Sequence, residues 1–259
     1  MNHKLTELSN VKEMSTNGGP VSAAEWRPPA NAVGSKAGSN SGNIPNVPNA
    51  CYILVVGETG TGKSTLINTI VNCFRGGNLE NLPRNIKVAI PTRFLKGTEP
   101  ESTNNSELNV HNVTQSMTVK ATAYHVKVPN VGDFVVVDTP GLGDTAGVEQ
   151  DERNIGVILD AANSCPHLNA IILVGNATNA RFGLNVQATM TRLSGTIPDV
   201  ALENMNYVLT MAKHPSEGNF KVEMAPFQPI NVAYMNSAFF SSDPREWSPY
   251  SLKEVHQKN

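Results

Sequence analysis

The sequence predicts an α/β domain over residues 50–245, with a mostly parallel central sheet and helices on both faces. Three observations point there. An unbroken apolar run, Ile53-Leu54-Val55-Val56, leads into a glycine-rich loop and then a one-faced helix. Short apolar runs alternate with helical periodicity down the rest of the chain, the pattern of a doubly wound sheet. A second buried-looking run, 134–137, ends on the acidic residue Asp138.

The first unit occupies residues 53–75. Four consecutive apolar residues suit a central strand covered on both faces. The loop that follows, Gly57-Glu58-Thr59-Gly60-Thr61-Gly62-Lys63-Ser64, fits the spacing G-x-x-x-x-G-K-[ST], with Thr65 next. Gly57, Gly60 and Gly62 permit backbone angles that a Cβ resists, so the main chain can close on a polyphosphate. The loop amides face the anion, helped by about half a positive charge at the helix N-terminus. Lys63 adds a point charge for the β- and γ-phosphates, and the Ser64 hydroxyl is suited to Mg²⁺. Leu66, Ile67, Ile70, Val71 and Phe74 give the helix one apolar face, and Gly76-Gly77 ends it.

Residues 78–112 are poorly patterned, with a short edge strand expected near Lys87-Val88-Ala89-Ile90-Pro91. From 116 to 128 the chain alternates, with Met117, Val119, Ala121 and Ala123 on one face and Thr118, Lys120, Thr122 and Tyr124 on the other. That reads as a half-buried strand, joined to the 134–137 strand by a turn over 129–133. Asp138-Thr139-Pro140-Gly141 closes the second strand. An acidic residue at the carboxyl end of a strand beside the phosphate loop is placed to hold Mg²⁺, and Gly141 offers its N–H to a γ-phosphate. Further on, helices are expected at 148–163 and 182–196, and strands at 168–174, 207–211 and 228–234. Met190 and Leu193 read as ordinary helix core.

Outside the domain the expectations are plainer. Residues 1–49, rich in Gly, Pro, Ser and Asn, read as a disordered arm, with Trp26 and Pro28-Pro29 as an alternative docking motif. Residues 246–259 read as a tail or short helix. A net charge of −2 suggests neither nucleic acid nor an anionic membrane as a bulk partner. Cys51, Cys73 and Cys165 match no metal or redox spacing, and the histidines show no paired-ligand spacing. With no signal peptide, no apolar stretch approaching a membrane span and no lipidation motif, a soluble cytoplasmic protein is expected.

GETGTGKST at 57–65 and DTPGLGD at 138–144 resemble the septin- and paraseptin-related GTPases, which include the GIMAP-like and Toc proteins. The 138–160 segment and LNAIILVGNATNARF are most similar to the broad AIG-type set. The resemblance implies a P-loop G domain that binds GTP or GDP with Mg²⁺ and often forms a homodimer across the nucleotide site. It implies phosphate contacts from Gly57, Gly60, Gly62 and Lys63, metal contacts from Ser64 and Asp138, and a switch anchored at Gly141. Asn112-Val113-Thr114-Gln115 is similar to the family's second motif, making Thr114 a metal-binding and catalytic candidate beside Lys63, with Thr118 as the alternative. Asn236, in Tyr234-Met235-Asn236-Ser237, falls where the family ends at the base pocket.

Two departures stand out. The base-reading N/T-K-x-D motif is absent. Its place holds Thr210-Met211-Ala212-Lys213-His214, and Lys213 cannot accept the guanine hydrogen bonds that the motif's acid accepts. Leu142 stands where many small GTPases carry a water-orienting glutamine, so slow turnover is expected. A GTPase switch is therefore the leading expectation, with a P-loop ATPase or kinase and a non-catalytic nucleotide-binding module as alternatives.

Overall fold

The computed structural model describes residues 44–74, 88–91, 120–143, 147–225, 227–236 and 240. The first strand, β1 (Cys51–Gly57), runs straight into the loop that precedes α1 (Lys63–Phe74). A hairpin follows: β2 (Thr122–Val128) and β3 (Gly132–Asp138) pair antiparallel, with Val128 opposite Gly132. Asn130 (φ 62°) and Gly132 (φ 140°) take the left-handed angles that turn the chain between them. Next come α2 (Val148–Ser164), β4 (Ala170–Asn176), α3 (Leu184–Ser194), the short α4 (Asp199–Glu203), β5 (Met205–Thr210) and β6 (Asn231–Met235).

The six strands form one sheet in the order β2-β3-β1-β4-β5-β6, and every neighbouring pair except β2–β3 is parallel. This is the expected fold class. β1 lies at the middle, which is why its apolar run is unbroken rather than alternating: Leu54 and Val56 face one layer and Val55 the other. On one side α1 brings Leu66, Ile67 and Val71 against Val55, Val136, Val174 and Val208. On the other, Ile155 and Ile158 of α2 and Val186, Met190 and Leu193 of α3 cover Tyr52, Leu54, Leu173 and Tyr207. Each fully buried aliphatic side chain here contributes about 1.5–3 kcal/mol of transfer free energy.

Three details differ from the sequence expectations. Residues 88–91 form no strand; Asn68 of α1, fully buried, accepts from Ala89 N and Ile90 N (both 2.9 Å) and donates to Ile90 O (2.8 Å). One side-chain amide does there what a strand partner would do. In β2 the face bearing Thr122 and Tyr124 is the buried one, with Tyr124 and Val126 at 1% exposure in the α1 layer. On the other face Ala121, just before β2, and Ala123 reach the opposite layer, while Lys127 is exposed. The helix α4 and the 3₁₀ turns at Pro215–Glu217 and Val222–Met224 have no counterpart in the periodicity.

At the amino end, Ile44 and Val47 pack against the core, and the Tyr52 hydroxyl donates to Pro45 O (2.6 Å) while accepting from Val47 N (2.7 Å). Residues 44–49, expected to belong to the arm, thus pack on the domain. Residues 1–43, the 116–119 stretch, the loop around Thr114 and Thr118, and the tail at 246–259 lie outside the described residues. No helix among the described residues is long and apolar enough to cross a membrane.

Candidate nucleotide site

The carboxyl ends of β1, β3, β4 and β5 converge where the glycine-rich loop turns, which is where open α/β sheets place ligands. Gly57 ends β1 with its backbone so close to Val174 of β4 that an added Cβ would collide with that residue's carbonyl oxygen. Gly60 (φ 77°) and Gly62 (φ 92°) adopt left-handed angles, so the loop curls back over the helix start. Leu66 N donates to Gly62 O (2.8 Å), beginning α1 directly under the loop.

Inside the loop, Glu58 O is the hub. It accepts from Thr61 Oγ1 (2.8 Å), from Thr61 N (3.4 Å) and from Lys63 Nζ (2.9 Å). Lys63, only 7% exposed, also reaches Gly57 O (3.2 Å), so its ammonium lies folded over the loop rather than out in solvent. The Glu58 side chain turns the other way, against Gly183 at the start of α3, where a Cβ would strike its carboxylate. Glu58 therefore acts on the loop through its backbone. Thr59 Oγ1 is buried and has no hydrogen-bond partner among the described residues.

β3 delivers the second half of the site. Asp138 lies beside Val55 in the parallel register and is 1% exposed. Thr139 Oγ1 donates to Val55 O (2.7 Å), locking the end of β3 to β1. Gly141 passes so near Thr59 that a Cβ would sit 2.7 Å from its Cα. Leu142 then zips onto the loop: its N–H donates to Gly57 O (3.2 Å) and its carbonyl accepts from Thr59 N (2.8 Å). The Leu142 side chain is fully buried in the core on the α2 side. From outside, α2 holds this segment, with Asn154 Nδ2 donating to Gly141 O (2.8 Å) and Asp151 Oδ1 accepting from Gly143 N (2.9 Å). Asn185 of α3 donates to the other Asp151 oxygen (2.6 Å).

The third wall is β5. Thr210 Oγ1 lies within hydrogen-bonding distance of Thr61 O (2.6 Å) and Gly175 O (3.1 Å), tying the loop to β4 and β5. Met235 of β6 pairs with Thr210, so Asn236 follows directly at this end of the sheet. Lys213 lies on the exposed turn after β5.

Gly57 through Thr65, Asp138 and Gly141 are thus brought together; Asn236 stands at the same sheet end, and Thr114 lies outside the described residues. Reading the sequence missed Thr139, Thr210, Asp151 and Asn154. Thr210 could have been found, since it holds the N/T position of the degenerate base motif. Asp151 and Asn154 carry no signal beyond their place in an amphipathic helix.

The donors available for a metal are hard oxygens, the Ser64 hydroxyl and the buried Asp138 carboxylate. They fit Mg²⁺, which keeps several waters and takes one or two protein ligands beside phosphate oxygens.

No family model matches the chain, and no curated protein matches it. Among solved structures it is similar to Toc33 from Arabidopsis thaliana in complex with GDP and Mg²⁺: 14% identity, 80% of this chain and 83% of that one, TM-score 0.46. A structure of chloroplast translocon components atToc33 and psToc159, in which dimerization is important for GTPase activity, shares 14% identity over 82% and 84% of the chains, at a TM-score of 0.45. Era in complex with MgGDPNP and a segment of 16S ribosomal RNA shares 12% identity over 79% of this chain and 56% of that one, at 0.41. At such identities no residue's role passes from those proteins to this one.

Proposed function

We propose that this chain binds GTP and GDP with Mg²⁺ and hydrolyses GTP slowly to GDP and phosphate, serving as a switch or scaffold. The observation that carries the reading is the glycine loop between β1 and α1, with left-handed Gly60 and Gly62 and with Gly141 pressed against Thr59. Loop amides, the α1 dipole and Lys63 together suit a polyphosphate. Ser64 and Asp138 would hold Mg²⁺, whose charge offsets that of the phosphates. Gly141 would turn its N–H to the γ-phosphate, and the second switch contact would come from Thr114.

Leu142 buries its side chain and cannot orient water, so turnover by one copy alone is slow. A homodimer facing across the nucleotide would bring a group from the second copy. Purified protein should bind a GTP analogue with Mg²⁺, and Lys63→Ala should abolish that binding; retained binding in the variant would end the proposal. A rate of phosphate release per chain that rises with protein concentration would place catalysis in the dimer. The same buried Leu142 favours a second reading, a nucleotide-binding module without catalysis. Bound nucleotide that stays unhydrolysed for hours at every concentration would select it.

A further inference from the structure

The acid that would read a guanine base is missing from position 213, yet a carboxylate is present there. Glu217 folds back so that its Oε2 accepts from the backbone N–H of Lys213 at 2.8 Å. We propose that Glu217 supplies the base-reading carboxylate of this site. The proposal rests on the reading of the loop as a guanine-nucleotide cradle.

The placement follows from the chain path. Thr210 is tied to the phosphate loop through Thr61 O, so the turn that starts at Met211 begins beside the nucleotide cradle. Met211 has φ 64°, a left-handed angle that a bulky residue adopts at a cost, and leaves its thioether chain 53% exposed. Strain and an open apolar surface at the mouth of a site suit a flat aromatic ring lying on the sulfur. The turn carrying Glu217 is held in place: Glu217 N donates to His214 O (3.0 Å), Gly218 N to Pro215 O (3.2 Å) and Asn219 N to Ala177 O (2.7 Å). At Gly218 a Cβ would come 2.8 Å from Ala177 O, so the turn sits directly on the end of β4.

The chemistry is selective. An ionised carboxylate only accepts hydrogen bonds. Guanine offers N1–H and N2–H donors along one edge, whereas adenine presents the acceptor N1 there. With Oε2 on Lys213 N, the Oε1 of Glu217 remains for the base. Glutamine at this position would keep its oxygen on Lys213 N and turn its NH₂ outward, against guanine donors but toward the 2-oxo group of xanthine.

The test uses the full chain, with GDP, ADP, xanthosine diphosphate and inorganic tripolyphosphate measured by calorimetry. Glu217→Gln should lose about 10- to 100-fold in GDP affinity and gain xanthosine diphosphate, with tripolyphosphate binding unchanged. Glu223→Gln, an exposed acid in the next turn, should behave as the parent. Equal GDP affinity in Glu217→Gln overturns the assignment while leaving the nucleotide site standing. Loss of tripolyphosphate along with GDP also overturns it, since the residue would then support the fold rather than read the base. A parent chain that binds tripolyphosphate but prefers ADP, or binds no nucleotide, overturns the guanine reading itself.

Discussion

Thr59 buries a hydroxyl oxygen that has no hydrogen-bond partner among the described residues, a cost of about 1–3 kcal/mol when nothing answers it. Its neighbour across the loop is Gly141, the residue proposed to meet a γ-phosphate. On the proposed reading, the hydroxyl would face the third phosphate or the water that attacks it. Thr59→Val should leave the unliganded protein within about 0.5 kcal/mol of the parent, or more stable, because a same-shaped apolar group removes an unmet polar atom. It should weaken a non-hydrolysable GTP analogue about tenfold or more relative to GDP. Denaturant unfolding and paired titrations check both halves; an equal loss for the two nucleotides would place the hydroxyl elsewhere. Gly57 makes the opposite case, in which nothing can be added. A methyl there meets the Val174 carbonyl, a backbone atom that cannot swing aside, so Gly57→Ala should part β1 from β4 or fail to fold. A Gly57→Ala protein with the parent's melting temperature would show that the strands can give.

Among elements, the loop at 139–143 is held from both sides by groups of different kinds. The glycine-rich loop holds Leu142 through two backbone hydrogen bonds, while α2 holds Gly141 and Gly143 through the side chains of Asn154 and Asp151. On the proposed reading, a third phosphate would act on the side of the backbone bonds, with the α2 bonds on the other side of the segment. Asp151→Ala should cost about 0.5–1.5 kcal/mol, since it removes the bonds to Gly143 N and Asn185 Nδ2, both of which can turn to water. It should also speed amide exchange across 141–143 while β3 keeps its protection. Hydrogen exchange with a GTP analogue and with GDP separates the two grips: a change confined to residues 139–143 is expected on exchanging one nucleotide for the other. Uniform exchange in both states would mean that the loop does not report the γ-phosphate.

At the scale of the whole molecule, the buried Tyr207 and the half-buried Cys165 tie stability to alkaline pH. Burial pushes the Tyr207 phenol, which donates to Phe227 O, up to about 12 from 10.0. Burial alone pushes the Cys165 thiol up to about 12 from 9.0. Both hold their protons more tightly folded than unfolded. Their stabilisation is therefore complete below pH 9 and is lost as the pH rises through about 12. The free energy of unfolding, measured in urea at a series of pH values, should fall across that window. Tyr207→Phe should fall less steeply between about pH 10 and 12. Identical slopes would show that the phenol is not what the fold keeps protonated.

The order of strands and helices was legible because each has a local cause. β1 is apolar throughout since it lies in the centre of the sheet, α1 has one apolar face since it lies on it, and Gly60 and Gly62 mark a turn that other residues resist. Asp138 was legible by its place at the end of an apolar run. Other features depend on residues far apart in sequence. Asn68 replaces an expected strand partner for residues 88–90, Tyr124 is buried because α1 crosses the hairpin, and Thr210 meets Thr61 across 149 positions. Nor could the sequence place Glu217 beside Lys213, because that bond depends on a turn seated on Ala177. Local periodicity and backbone sterics set the glycine-rich turn and the layered α/β plan. Hydrogen bonds between distant segments, which only the packed sheet brings within reach, decided what grips the loop.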